Sequence, residues 1–348
     1  MPQLARERHS DNFMVLRLAA AVLVLYGHAF SLTGTVAPSY LGNGIHTVAV
    51  KIFFVVSGYM IALSWQGDND PVRYLARRCL RIFPALVVLC IVTVFLCGPA
   101  LTTLSVYEYF NSNATYRYFS NVILNPVYHL PGVFAELVYP GAVNGSLWTL
   151  PIEFTMYLAM PLVLMCGRGL LVLVATASIA ASLWFCRIAV PEAPLVIWGS
   201  NTVMALEMFP YFLIGTAVQI LHMRRFLNVQ VAIVCLVLAP LCVSSWLTAE
   251  LAALIVIPYV ALSFGTASPP AFAAVARLGD ISYGMYLYGF LVQQCVSYLI
   301  GTEGQPLLNF VLSTIITAPL AVLSWKFVER PALGWKPSRV PTPAAADS

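Results

Sequence analysis

Apolar residues run along this chain in long blocks of similar length, separated by short polar breaks. A membrane-crossing helix needs about 20 consecutive apolar residues. Ten blocks meet or approach that length: 13–32, 47–65, 82–99, 147–166, 169–188, 203–221, 229–245, 248–264, 281–300 and 306–326. The pattern predicts an all-α fold, a polytopic transmembrane bundle of about ten helices. Blocks 229–245 and 248–264 nearly touch and are the hardest to separate. The first block is long and has no small-residue cleavage site, so it reads as a retained helix rather than a removed signal peptide. Composition agrees: 60% of the 348 residues are hydrophobic and 9% are charged, against about 25% charged in soluble domains.

Lysine and arginine placement gives an orientation. With both termini in the cytoplasm, the inside segments hold fourteen of the eighteen basic residues, among them Arg6, Arg73, Arg168, Arg224, Arg277 and Lys336. Arg117 and Arg187 fall outside. The formal net charge of +4 therefore reflects topology, and no nucleic-acid partner is expected. One transmembrane domain is expected over 1–331. A short cytoplasmic tail, 332–348, follows, Pro/Ala-rich from Pro337 and expected to be disordered, with no second soluble domain. The outside loop 100–146 is long, nearly uncharged and aromatic, with Tyr107, Tyr109, Tyr116, Tyr118 and Tyr139. Such rings stack on sugars, and they also mark membrane interfaces. The eight cysteines lie mostly in apolar runs, without zinc spacing, and read as small buried hydrophobes. Neither a metal site nor a disulfide framework is expected.

Several chemistries are missing from the sequence: no P-loop, no dinucleotide-binding glycine motif, no HExxH and no GxSxG. Asn113-Ala-Thr and Asn144-Gly-Ser match the glycosylation sequon, which also arises by chance. What stands out is the short set of ionisable residues inside apolar blocks: Arg17, His28, Lys51, Glu153, Glu207 and Glu250. Such groups are costly in lipid and point to function by default. Eleven residues separate Arg17 from His28, about 16 Å along a helix, so an Arg17 near the inner headgroups sets His28 in the outer half. A neutral imidazole at that depth can accept a proton and return it; equally, it can be a packing histidine bonded to a carbonyl. Glu153, counted from the outer end of its block, falls in the outer third. It either orients the histidine or makes a structural pair. Glu207 is expected to be structural. Arg73, Arg77, Arg78 and Arg81 crowd nine residues before Ile82-Phe83-Pro84. They suit a phosphate-bearing ligand, coenzyme A or anionic lipid headgroups, or they serve topology alone.

Specific blocks of the chain resemble a known family. Asn12 to His28, Phe53-Phe-Val-Val-Ser57-Gly58-Tyr59, Arg77-Arg78-Cys79-Leu80-Arg81-Ile82-Phe83-Pro84, Asn144-Gly-Ser146-Leu-Trp148-Thr-Leu-Pro-Ile-Glu153 with Tyr157, Gly279-Asp280-Ile-Ser-Tyr-Gly-Met-Tyr-Leu287 and Phe327-Val-Glu-Arg-Pro331 are similar, in order and spacing, to landmarks of the acyltransferase-3 family. Two positions depart from it. Many members have a histidine soon after the Ser-Tyr-Gly-x-Tyr-Leu block, where this chain reads Tyr288-Gly289-Phe290, and Met14 stands where many have aspartate.

The resemblance implies an integral membrane O-acyltransferase that moves acetyl or another short acyl group from cytoplasmic acyl-CoA, with acetyl-CoA as the expected donor, to a sugar hydroxyl of a surface or lipid-linked glycan. It implies that His28 is catalytic, as general base on the acceptor hydroxyl or through an acyl-histidine, with Glu153 positioning it. Arg78 and Arg81, with Arg77 and Arg73 beside them, map to the donor site. Ser57, Tyr157 and Tyr26 are candidate oxyanion donors, and Trp148 and Arg17 are candidate substrate contacts. The main rival is a proton-coupled transporter or flippase of a glycan or small solute. The membrane-bound O-acyltransferase class is disfavoured because its intramembrane histidine is expected late in the chain. A membrane scaffold leaves His28 and the arginine cluster without a role.

Overall fold

The computed structural model describes residues 2–267 and 279–336, with side chains from residue 12 onward. Arg277 and the tail from Pro337 lie outside the described residues. The major helices are α1 (Pro2–Leu32), α2 (Ile45–Gly67), α3 (Pro71–Val92), α4 (Thr149–Met165), α5 (Arg168–Leu183), α6 (Thr202–Ile220), α7 (Val229–Leu238), α8 (Trp246–Gly265), α9 (Ser282–Ile300) and α10 (Pro306–Ser324). Each of the ten apolar blocks is therefore helical. Eight helical stretches among the described residues are long and apolar enough to cross a membrane by themselves.

The two exceptions have different causes. The stretch Val229–Cys242 is short, and Pro240 ends it in a tight 3₁₀ turn. α9 has the length, but it carries Gln293, Gln294 and Ser297, all buried. It packs against α1, α3 and α10. A helix surrounded by protein does not need the apolar circumference that lipid demands.

Close backbone contacts explain two of the sequence blocks. A Cβ at Gly58 would run into the backbone carbonyl of Phe212, and one at Gly215 into that of Val55. Thr216 Oγ1 also donates to the Gly58 carbonyl at 3.1 Å. α2 and α6 thus meet backbone to backbone, as small residues allow in membranes, and Ser57 is held on the neighbouring face. Gly279 has φ +83° and leaves room only for the Trp325 indole. That left-handed turn delivers Asp280 to the start of α9.

The first half of the 100–146 segment carries short helices: Val106–Asn111, opened by a Ser105/Glu108 capping box, then Asn113–Arg117 and Tyr118–Ile123; residues 124–144 are loop. Tyr109 and Tyr118 are fully buried, and Tyr109 donates to the Val94 carbonyl at 3.0 Å. These two rings are core, while Tyr107, Tyr116 and Tyr139 are exposed. Asn144 is buried and donates to the Leu287 carbonyl at 2.8 Å, so that sequon is not open to modification in the folded protein. The cysteines are free; Cys90 and Cys186 are buried, whereas Cys166 and Cys242 are exposed.

Candidate active site

Polar side chains form a column through the bundle, in three layers. At one end Asp280 accepts from Arg17 at 2.8 Å, Arg81 at 2.8 Å and Ser282 at 2.6 Å. Arg81 also reaches Glu329 at 3.5 Å, and Glu329 accepts from Ser324 at 2.9 Å. Burial alone would raise the Asp280 carboxyl, but the charges of Arg17 and then Arg81 outweigh it and hold it at about 2.

Beside this layer sits Arg78. Its guanidinium reaches Ser64 Oγ at 3.2 Å and lies over the rings of Tyr74 and Tyr157, 5.7 and 5.8 Å from their centres. It has no carboxylate partner among the described residues. Its neighbours differ: Arg73 and Arg77 both bind Asp68, at 2.8 and 2.7 Å. Those hydrogen bonds hold the Asp68 carboxyl well below the usual carboxylate range. Of the four arginines, three are matched by acids and one is uncompensated. Desolvation, and after it the charges of Arg78, Arg81 and Arg77, push the Lys336 ammonium below the usual lysine range.

The second layer surrounds Glu153. Its Oε1 accepts from Ser57 Oγ at 2.7 Å and from the Tyr157 hydroxyl. Glu153, Arg17, Phe53, Thr149, Tyr283 and Tyr286 line a small cavity of about 40 Å³.

His28 lies in a third layer, with its ring 5.4 Å from that of His46 and 5.3 Å from that of Phe290. Three helices agree on its separation from the first two layers. Arg17 to His28 on α1 and Ser57 to His46 on α2 are eleven residues each, about 16 Å; Asp280 to Phe290 is ten, about 15 Å.

Glu153 therefore does not touch His28, and the expected direct pairing of the two is not what the structure shows. The depth assigned to Glu153 by counting from the outer end of its block was too shallow. The segment before α4 runs down beside α9: Gln294 donates to the carbonyls of Tyr139 and Ala142, and Tyr286 donates to that of Ser146 at 2.8 Å. From Gln294 to Tyr286 is eight residues, about 12 Å of descent. α4 starts well inside the bundle.

The other expected residues fall as follows. Ser57 and Tyr157 belong to the Glu153 layer. Tyr26 packs edge-on against Phe30 and Phe310, on a groove between α1 and α10 and away from His28. Trp148 is partly buried at the head of α4. Arg17 is tied to Asp280. Lys51, fully buried, binds Asn43 at 2.6 Å and Glu207 at 3.0 Å. Glu250 takes Arg187 at 2.9 Å. These four charges balance, and Glu207 is held by ion pairs with Lys51 and Arg187. Of the six ionisable residues read from the apolar blocks, His28 alone has neither a hydrogen bond nor an ion pair among the described residues: its Nδ1 is buried without a partner. His46 was not foreseen, since it stands one residue before its predicted apolar block. Its signal was the Gly44-Ile-His46 entry to that block.

The family model described as an acyltransferase domain matches residues 11–326. The chain is 30% identical to a protein named O-acetyl transferase from Shigella phage Sf6, over 92% of this chain and 96% of that one. It is 28% identical to nodulation protein 10 of Rhizobium leguminosarum bv. viciae, over 95% of each. No solved structure matches. With a helical membrane bundle and the family's landmarks assembled around one polar column, the chain belongs to the acyltransferase-3 family of integral membrane O-acyltransferases.

Proposed function

We propose that this acyltransferase moves an acetyl group from cytoplasmic acetyl-CoA through the polar column to a sugar hydroxyl of a surface or lipid-linked glycan. The cytoplasmic (inner) membrane is its proposed site, with both termini inside. The observation that carries the reading is the pairing of two unmatched groups at opposite ends of the column: the uncompensated Arg78 guanidinium and the unpartnered His28 imidazole.

A guanidinium without an acid is ready for a phosphate, and Arg78, stacked between two tyrosines, is the primary donor contact. Arg73, Arg77 and Arg81 set the local field while remaining bound to acids. The pantetheine arm runs inward past the Glu153 cavity, and the thioester meets the acceptor in the His28 layer. His28 takes the hydroxyl proton as the new C–O bond forms. Glu153 acts at a distance from this step. With Ser57 and Tyr157 it lines the path of the arm, and it is a positioning residue for the donor. The exposed Tyr107, Tyr116 and Tyr139 are proposed to face the glycan.

The test uses proteoliposomes with the protein in one orientation and a membrane glycan extract. Acetyl-CoA supplied on the Arg78 face gives acceptor-dependent thiol release, and acetyl-CoA supplied on the His28 face gives none. Exchange of a solute across the vesicle without consumption of any acyl-CoA would instead support the transporter reading.

A further inference from the structure

The His28 layer contains a second imidazole that no part of the reading above uses. We propose that His46 is a catalytic residue of this site, the N–H donor that holds the oxyanion while His28 carries the proton. The proposal rests on the acyltransfer reading above.

The geometry is specific. The two rings lie 5.4 Å apart and tilted by 40°. Nδ1 of each is buried and has no hydrogen-bond partner among the described residues. Buried polar atoms in proteins are almost always satisfied, and two unsatisfied ones side by side need a reason. A neutral imidazole has one N–H and one bare nitrogen in either tautomer. Two such rings therefore offer an acceptor and a donor together, the pair that hydroxyl attack on a thioester requires.

The fold makes a seat for His46. A Cβ at Gly27 would stand 2.7 Å from both the Cβ and the backbone nitrogen of His46, and one at Gly44 would stand 2.9 Å from its Cε1. Glycine at both positions lets the first turn of α2 lie directly on α1 beside His28. The entry to that turn is braced. Ser39–Tyr40 pairs with Asn43–Gly44, the Ile45 N–H donates to the Pro38 carbonyl at 2.9 Å, and Asn43 is held by Lys51. α2 has no side-chain cap. Its positive end lies at the same layer as His46, where it favours a developing negative oxygen. Phe290, edge-on to His28, covers another side.

The step balances as follows. The acceptor oxygen bonds to the acyl carbon, and the carbonyl π pair moves to the carbonyl oxygen, which His46 N–H holds. The hydroxyl proton passes to the bare nitrogen of His28. The oxyanion pair then re-forms the carbonyl as the C–S bond breaks, the C–S pair goes to sulfur, and His28 returns the proton to give the ester and the free thiol. His46 leaves the cycle unchanged.

The test compares wild type, His28→Ala, His46→Phe and His46→Gln as full-length protein in detergent, with acetyl-CoA and membrane glycan extract. Melting curves confirm that each variant is folded. Removing one oxyanion donor costs about 10²- to 10³-fold in kcat. His46→Phe is expected to lose that much, with the KM for acetyl-CoA changed by less than about twofold. His46→Gln keeps an N–H and recovers at least about tenfold of the loss. If His46→Phe stays within about threefold of wild type while His28→Ala is dead, His46 has no catalytic role and the acyltransfer reading survives. If folded His46→Gln is no better than His46→Phe, the donor role is wrong. If wild type itself transfers nothing, the acyltransfer reading fails and takes this proposal with it.

Discussion

Replacing Asp280 with asparagine removes the one negative charge that Arg17 and Arg81 share. Both guanidiniums sit 2.8 Å from the same carboxylate oxygen. After the change, Arg81 keeps only Glu329, at 3.5 Å, and Arg17 loses its acid. Breaking a buried ion pair by removing one partner costs about 3–5 kcal/mol. The carboxyl falls from an ordinary value of 3.8 to about 2, which favours the ionised form by about 2 kcal/mol. Because this pKa is lowered by folding, the stabilisation is full above the ordinary value and is lost as the pH falls through about 2. Thermal unfolding in detergent, followed by tryptophan fluorescence between neutral pH and pH 2, measures both effects. Asp280→Asn should melt several degrees lower at neutral pH, and its deficit should shrink as acid protonates the wild-type carboxyl. The double variant Arg17→Leu/Asp280→Asn should lose less than the sum of the two single changes. Equal melting of wild type and Asp280→Asn at neutral pH, or a deficit that grows in acid, would refute the reasoning.

Three further changes separate the roles of the other charges and contacts. Arg78→Gln should raise the KM for acetyl-CoA by about 10- to 100-fold, the worth of a charge-assisted hydrogen bond; Arg73→Gln, whose target already bonds Asp68, should stay within about threefold. Steady-state kinetics at saturating acceptor read both. Lys51→Met leaves Glu207 and Glu250 with Arg187 alone and should cost about 3–5 kcal/mol in stability, visible as a lower melting temperature with the donor KM unchanged. Gly58→Val drives a side chain into the Phe212 carbonyl and should abolish the folded peak in size-exclusion chromatography, whereas Gly169→Ala, which meets nothing within 4 Å, should not.

Much of the scaffold was legible because lipid imposes a length and a composition on each span. The ten apolar blocks appear as helices, even the closely spaced pair now separated at Ser245, which caps α8. α9 was legible by length, although its glutamines make it too polar to stand alone in lipid. The layers of the site were less legible, because depth was counted from the ends of the blocks. That count holds for α1, where Arg17 and His28 ride one straight run. It fails for α4, because Gln294 and Tyr286 draw the preceding segment into the bundle, a tertiary event with no hydropathy signature. The arginine cluster shows the same limit. Four cations in nine residues read alike, yet Asp68, Asp280 and Glu329 neutralise three of them and leave Arg78. His46 was missed for a simpler reason: hydropathy places it at a boundary, and only the close approach allowed by Gly27 sets it against His28.

The most direct test of the account is transfer of radiolabelled acetyl from acetyl-CoA to glycan by purified protein, comparing wild type with His28→Ala at matched folded yield. The account predicts acceptor-dependent labelling by wild type and a loss of about 10²-fold or more in the variant. Equal labelling by both proteins would make His28 structural and contradict the mechanism.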